Sequence, residues 1–485
     1  MPAPWVVEEL KDVNLNDKRL NDRMGLILDQ LAGHATASIP AACGGWAETV
    51  AAYRFFDNEK VSFENLLEPH IEATFRRIQG HSAVILAQDT TEIDLTRPAR
   101  QVQGAGYLSV NNRRGAFLHP LLAFTPDGTP LGTVYAEAWA RAEQSPAPKT
   151  RKEKERERRR TPIEDKESMR WLDAFGQASV VAQHAPETQL ICVADSEADI
   201  YELLEMSHAS CVDWIVRAGF NRTLKSTENT EDFADHVRER VLAGDCLFTN
   251  DIRIRERQSK IPSDKRRRNQ SRQAREASVE VRAASVTLRA PPRRDRKLND
   301  ITVNVVLVTE IDPPPNEEPV EWILLTSLPI DLPDQVREVI CYYTVRWMIE
   351  VYFRTLKSSC RVEERQFESI DRALNALAVY MIVAWRALMV CRISREFPDI
   401  SCEAIFEPEE WKSVYYFVRK QPPPSDPPTL KEMTRMLGTL GGYVDRVRPD
   451  EPGPQTVCLG LQRAHDITCC WKIFGPETTK RTICV

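Results

Sequence analysis

Between Tyr343 and Lys357 the apolar residues recur at helical spacing, and a second, chemical pattern runs offset from them. At about 100° per residue, Tyr343, Arg346, Glu350, Arg354 and Lys357 fall within a wedge of about 80°, with Val345, Met348, Ile349, Tyr352 and Leu356 roughly opposite. The spacing predicts one helix with a buried back. Its front holds a single carboxylate among four groups able to bind phosphate or stack on a nucleotide. A solvated helix face would instead mix acids and bases as i,i+4 pairs.

The chain has 485 residues, 42% hydrophobic and 28% charged, enough apolar material for two or three folded units. No run of about 18 apolar residues suggests a membrane span, and Met1-Pro2-Ala3-Pro4-Trp5 soon meets acids rather than a basic-then-apolar signal pattern. The expectation is a cytoplasmic protein with no membrane partner. Twelve cysteines show no Cys-x2-Cys pair, and no histidines stand at ligand spacing, which argues against structural zinc and for reduced thiols. The net charge of −6 argues against a nucleic-acid partner only if it is averaged over the chain. Asp251–Asp300 carries sixteen Lys/Arg against seven Asp/Glu, a net of +9, which leaves −15 on the remainder. Positive charge is thus concentrated where a polyanion could meet it.

Residues 10–70 read as helical. From Ser82 an apolar run ends at Asp89; strands follow over Ala116–Thr125 and Leu131–Trp139, separated by Asp127-Gly128, a favourable tight-turn pair. After the charged segment Arg151–Arg160 come a helix over Ile163–Gln183, an apolar run Leu190–Ala194 ending at Asp195, and a helix over Glu197–Met206. Strand patterns resume at Asp213–Arg217, Ser278–Leu288, Ile301–Val308 and Trp322–Thr326, with a basic loop at Arg255–Arg275. Long apolar helical segments, Ala373–Val390, precede a proline-rich break at Pro422–Pro428. Periodicity alone gives an α/β fold.

The residues Tyr343, Arg346, Glu350 and Lys357, spaced Tyr-x2-Arg-x3-Glu-x6-Lys, resemble the signature of DDE-type cut-and-paste bacterial transposases of the insertion-sequence-four family, especially its transposon-five-like branch. Asp89 in Val84-Ile85-Leu86-Ala87-Gln88-Asp89-Thr90-Thr91 and Asp195 in Ile191-Cys192-Val193-Ala194-Asp195-Ser196 resemble the family's two catalytic aspartate segments, in the family's order. The resemblance spans about Asn16 to Arg463. It implies a ribonuclease-H-like catalytic domain over 73–375 with a β-rich insertion at about 212–330. A helical end-binding domain over 1–72 precedes it, and a helical dimerisation domain over 376–485 follows. It further implies a homodimer acting on terminal inverted repeats and target DNA.

Phosphodiester cleavage by this chemistry needs carboxylates that hold two divalent ions about 4 Å apart. The resemblance assigns that role to Asp89, Asp195 and Glu350, with two Mg²⁺ as the best fit to all-oxygen ligation and Mn²⁺ as a substitute. Glu92 and Asp94 compete with Asp89, but strand alternation turns them to the opposite face; capping at a helix start accounts for Glu197 and Asp199. Arg346 and Lys357 can neutralise phosphate, and Tyr343 can donate to it. Trp322 matches the tryptophan on which a flipped base stacks, and Arg217 a DNA-contacting arginine, so release through a hairpin is expected. In the N-terminal unit Arg19, Arg23, Tyr53 and Arg54 are the candidate DNA contacts. Ser196 stands where the family usually has arginine, a departure that bears on a secondary phosphate or structural contact and not on the metal site.

Overall fold

The computed structural model describes all residues except 1, 98–100, 110–111, 143–149, 151–152, 154–156, 158–159, 226–235, 255, 257–270, 272, 294–295, 316, 445–450 and 476–485. Most of Arg151–Arg160 and of the basic loop Arg255–Arg275 therefore lies outside the described residues. The chain opens with helices α1 (Pro4–Glu9), α2 (Lys18–Gly33), α3 (Ile39–Cys43), α4 (Trp46–Phe56) and α5 (Phe63–Ile78). Strands β1 (Ala83–Gln88), β2 (Thr91–Asp94), β3 (Gly106–Tyr107), β4 (Arg114–Phe124) and β5 (Pro130–Trp139) follow. Then come α6 (Met169–His184), β6 (Gln189–Ala194), α7 (Tyr201–His208), β7 (Asp213–Arg217), α8 (Val237–Leu242), β8 (Phe248–Ile254), β9 (Arg275–Leu288), β10 (Ile301–Glu310) and β11 (Glu321–Thr326). Helices α9 (Pro333–Val345), α10 (Trp347–Arg354), α11 (Ile370–Glu396), α12 (Pro408–Arg419), α13 (Leu430–Leu440) and α14 (Pro454–Phe474) complete the chain.

Local chemistry sets many of these boundaries. Asp17 caps α2, a Ser62–Asn65 capping box starts α5 and a Thr429–Glu432 box starts α13. Proline occupies the first turn of α9, α12 and α14, where its missing N–H costs nothing. The turn between β4 and β5 closes through Gly128, at φ 84°, with its N–H bonded to the Thr125 carbonyl at 2.8 Å.

The chain divides into two compact units. The first comprises residues 1–81, 89–147 and 347–485, the second residues 82–88 and 148–346. In the first unit β2, β3 and β5 each pair antiparallel with β4. Its centre is α11, which packs on α2, α5, α14 and β5. Contrary to the expectation from composition, α11 is long and apolar enough to cross a membrane, with a mean hydropathy of 1.8 over its most apolar window. That window is 89% buried inside the protein, as befits a core helix hydrophobic all round. Polar side chains tie the helix in place: Asn375 donates to the Phe56 and Val61 carbonyls, and Trp385 Nε1 to that of Pro130.

In the second unit β1, β6 and β7 run parallel, with Leu86 opposite Cys192 and Cys192 opposite Trp214. The antiparallel strands β11, β10, β9 and β8 follow in that spatial order. Helix α6 packs on β1 and β6, and α9 on β1, β6 and β10. Two expectations need correction here. The segment Glu197–Met206 is a 3-10 turn, Ser196–Ala198, followed by α7 from Tyr201. Asp199 interrupts it because its buried carboxylate accepts the N–H groups of Gly219 and Phe220 and the guanidinium of Arg222. Strand β8 was also invisible to apolar periodicity, since Thr249, Asn250 and Asp251 face solvent on an edge strand.

Candidate active site and nucleic-acid interface

The segment from Tyr343 to Lys357 is helical in substance but not one helix. Tyr343 lies on α9, and Arg346 closes a tight turn with its N–H bonded to the Tyr343 carbonyl at 3.1 Å. Glu350 sits in the first turn of α10, and Lys357 lies in a π-helical turn, Thr355–Ser359. A π turn takes more residues per revolution than an α turn, so Lys357 leaves the wedge that uniform spacing would give it. The supposed front is also partly buried. Tyr343 is 2% exposed and Arg346 5%, whereas Glu350 and Lys357 are half-buried and Arg354 is exposed.

In the second unit Tyr343 is the hub of a polar cluster. The Trp322 indole packs edge-to-face against it at 5.8 Å between ring centroids, and the Arg346 guanidinium lies 5.9 Å from its ring. Burial pushes the Tyr343 phenol up from its ordinary pKa, Arg346 and Arg217 pull it down, and Asp195 adds a further upward push. All three charges are thus within electrostatic reach of one phenol, which stays neutral and able to donate at physiological pH. Asp195 stands just past β6, with Oδ1 accepting the Glu197 N–H at 2.8 Å. Arg217 ends β7 and donates to the Glu321 carbonyl at 3.2 Å, beside the half-buried Trp322 on β11. The competing acids nearby have other partners. Asp199 is clamped as described, and Glu197 faces Arg170 at 3.5 Å. Ser196 is exposed, and its carbonyl would lie 2.9 Å from a Cβ at Gly219, so only glycine lets that loop approach the Asp195 turn so closely.

The first unit holds the other two expected ligands. Asp89 follows β1, and its Oδ1 accepts the Thr90 N–H at 2.7 Å. Glu92 pairs with Arg113 at 2.8 Å and accepts the Ser109 N–H. Asp94 also meets Arg113, at 3.3 Å, and accepts the Thr96 N–H. Lys357 donates to the Glu92 carbonyl and stands 3.5 Å from Glu363, so its ammonium is fixed beside the strand that follows Asp89. Carboxylate oxygens without sulfur or imidazole suit a hard divalent cation such as Mg²⁺ or Mn²⁺. Among the described residues no three His, Cys, Asp or Glu side chains are grouped so as to hold a metal ion by themselves.

At the N-terminal helices, Arg54 is exposed on α4 and Tyr53 half-buried, with the Arg372 guanidinium 5.5 Å from its ring. Arg19 is exposed but folded back on its own cap residue, Asp17, at 2.9 Å, and Arg23 is half-buried. Trp46, at the start of α4 and directly after Gly44-Gly45, is 83% exposed.

Three segments match known protein families. Residues 2–61 match the family described as Transposase DNA-binding, residues 172–386 the Transposase DDE domain, and residues 382–469 the Transposase Tn5 dimerisation domain. Asp195, Arg217, Trp322, Tyr343, Arg346, Glu350 and Lys357 fall within the DDE match; Asp89 precedes it. Among solved structures, a cryo-EM structure of the piggyBac transposase synaptic complex with hairpin DNA is similar at a TM-score of 0.32 and 10% identity, over 69% of this chain and 52% of that one. The chain thus spans about half the length of that protein. The three family matches, in this order along one α/β chain with helical N- and C-terminal regions, make it a member of the Tn5-like DDE transposases.

Proposed function

We propose that the protein is a metal-dependent DNA transposase. It binds the terminal inverted repeats of its element, cleaves the DNA at each end and joins the freed 3′ ends to target DNA. The observation that carries this reading is the cluster around Tyr343, where Trp322 and Arg346 of the DDE match pack at 5.8 and 5.9 Å from the ring of one buried phenol and Arg217 and Asp195 act on it electrostatically. Asp89, Asp195 and Glu350 are the residues that would hold two Mg²⁺ ions, or Mn²⁺. When bound, the ions supply Lewis-acid stabilisation of the attacking and leaving oxygens.

The chain's own residues do the rest. Arg346 and Arg217 offset phosphate charge near Asp195, and Lys357 does so near Asp89 and Glu92. Neutral Tyr343 donates a hydrogen bond to a phosphate oxygen. Trp322 offers a stacking face to a base drawn out of the duplex, which offsets the few kcal/mol that extrusion costs. That extruded base supports release through a hairpin: water first attacks one strand, then the liberated 3′ hydroxyl attacks the opposite one. Arg19, Arg23, Tyr53 and Arg54 contact the terminal repeat.

The division into 1–72, 73–375 and 376–485 belongs to the same reading, as does a cytoplasmic, nucleoid-bound location. A second copy of the chain is the proposed partner. The dimerisation match and the exposed Tyr416, Phe417, Ile473 and Phe474 on α12 and α14 support it, Tyr416 lying 5.5 Å from the Trp471 ring.

The test incubates wild-type protein and Glu350→Ala with the element's own end duplex and Mg²⁺, and resolves products on a denaturing gel. Nicks and hairpins from wild type alone are expected. Binding without product from either protein would instead make it an inert end-binding protein.

A further inference from the structure

β4 is an apolar strand, after Arg114 at its start, with one polar intrusion. Its residues 115–124 are all buried, and among them His119 is 0% exposed. A buried imidazole is tolerated only with hydrogen-bond partners, and His119 has one that leads to the candidate site: its Nδ1 lies 2.9 Å from the Thr90 hydroxyl. Thr90 in turn donates its backbone N–H to Asp89 Oδ1 at 2.7 Å. Both Asp89 and Thr90 fall between β1 and β2, outside either strand. Strand pairing therefore does not fix their backbone. Directly opposite His119 in the β4–β5 register stands Glu137, on the same face of the pair.

We infer that His119 is a positioning residue for Asp89, acting through Thr90. The imidazole pins the Thr90 hydroxyl, the pinned residue presents its N–H to one oxygen of the carboxylate, and the carboxylate's orientation toward a divalent cation follows. This rests on the proposal that Asp89 is a metal ligand. Partners that orient a ligating group in this way typically govern metal affinity by about 10- to 100-fold. The feature is a lone histidine in a strand interior, which from sequence reads as core.

The experiment titrates Mn²⁺ into the protein bound to its end duplex, follows free Mn²⁺ by electron paramagnetic resonance, and measures the Mg²⁺ concentration for half-maximal cleavage separately. Thr90→Val removes the hydroxyl at nearly constant shape and Thr90→Ser keeps it. His119→Leu removes the ring nitrogen, and His119→Asn restores a polar atom near the Nδ1 position. The inference expects Thr90→Val and His119→Leu to weaken Mn²⁺ binding about 10- to 100-fold and to raise the half-saturating Mg²⁺, with Thr90→Ser and His119→Asn close to wild type. Wild-type Mn²⁺ affinity in Thr90→Val overturns it, even if the maximal rate falls. Should wild type bind Mn²⁺ yet cleave nothing, the transposase reading fails while the Mn²⁺ titration still decides this one. Absence of Mn²⁺ binding by wild type overturns both.

Discussion

The two ring nitrogens of His70, buried in the first unit, are assigned by their neighbours. The Thr133 N–H donates to Nε2 at 3.0 Å, so the proton sits on Nδ1 and is donated to Glu9, which Arg77 also grips at 2.9 Å. Burial, with Arg77, holds the imidazole below its ordinary pKa against the upward pull of Glu9. For Glu9, burial pushes up, but His70 and Arg77 outweigh it and hold the carboxyl at about 2. Both shifts act in one direction. His70 is neutral when folded, so its contribution is complete above 6.5 and declines as pH falls and the unfolded imidazole takes up a proton. The Glu9 contribution is complete above 4.5 and is lost as pH falls toward about 2. Urea midpoints measured from pH 8 to pH 3 should therefore fall with acid, and Glu9→Ala, which leaves the buried Nδ1–H without its acceptor, should lower stability by about 1–3 kcal/mol at neutral pH. A flat pH profile would refute the assignment. That Glu92 and Asp94 compete with Asp89 was legible in the sequence, and Arg113 pairs with both of them. The role of His119 was not, because the partner that explains it lies 29 residues away.

Elements were legible where apolar period and turn chemistry agreed, as in β1, β4, β5, β6, β7 and α11. They were not where long-range bonds set the backbone. The interruption before α7 comes from the loop that Asp199 holds, and the π turn after α10 from its neighbours in the first unit. One of those is Arg365, 5% exposed, which donates to the carbonyls of Ala35 and Ala37 after α2 and to that of Cys360 just after the π turn, with its guanidinium 5.0 Å from the Tyr380 ring. A planar guanidinium can serve several carbonyls at once and an ammonium cannot reproduce that fork. Arg365→Lys should thus leave at least one buried carbonyl unsatisfied and cost about 1–3 kcal/mol for each, read as a lower thermal midpoint. An unchanged midpoint would mean that water replaces the lost donors. Because Lys357 lies within the π turn, the same variant is expected to slow cleavage beyond what its stability loss explains.

At the scale of the whole molecule the overall charge is −6, so attraction to DNA has to be local. If Arg54 meets a phosphate, Arg54→Ala should weaken end binding and flatten the dependence of log affinity on log salt by about 1. Anisotropy titrations at several KCl concentrations measure this, and an unaltered slope would remove Arg54 from the interface. The family order of end-binding, DDE and dimerisation segments was legible from motifs. The division into two compact units was not, because it follows pairings between distant parts of the chain. The chain passes from one unit to the other four times, after residues 81, 88, 147 and 346. Asp89 and Glu350 consequently belong to the first unit and Asp195 to the second. Each unit is assembled from segments far apart in the sequence, so no truncation or single cut separates one from the other: a fragment that ends at Arg346 keeps the second unit but carries residues 89–147 of the first with it.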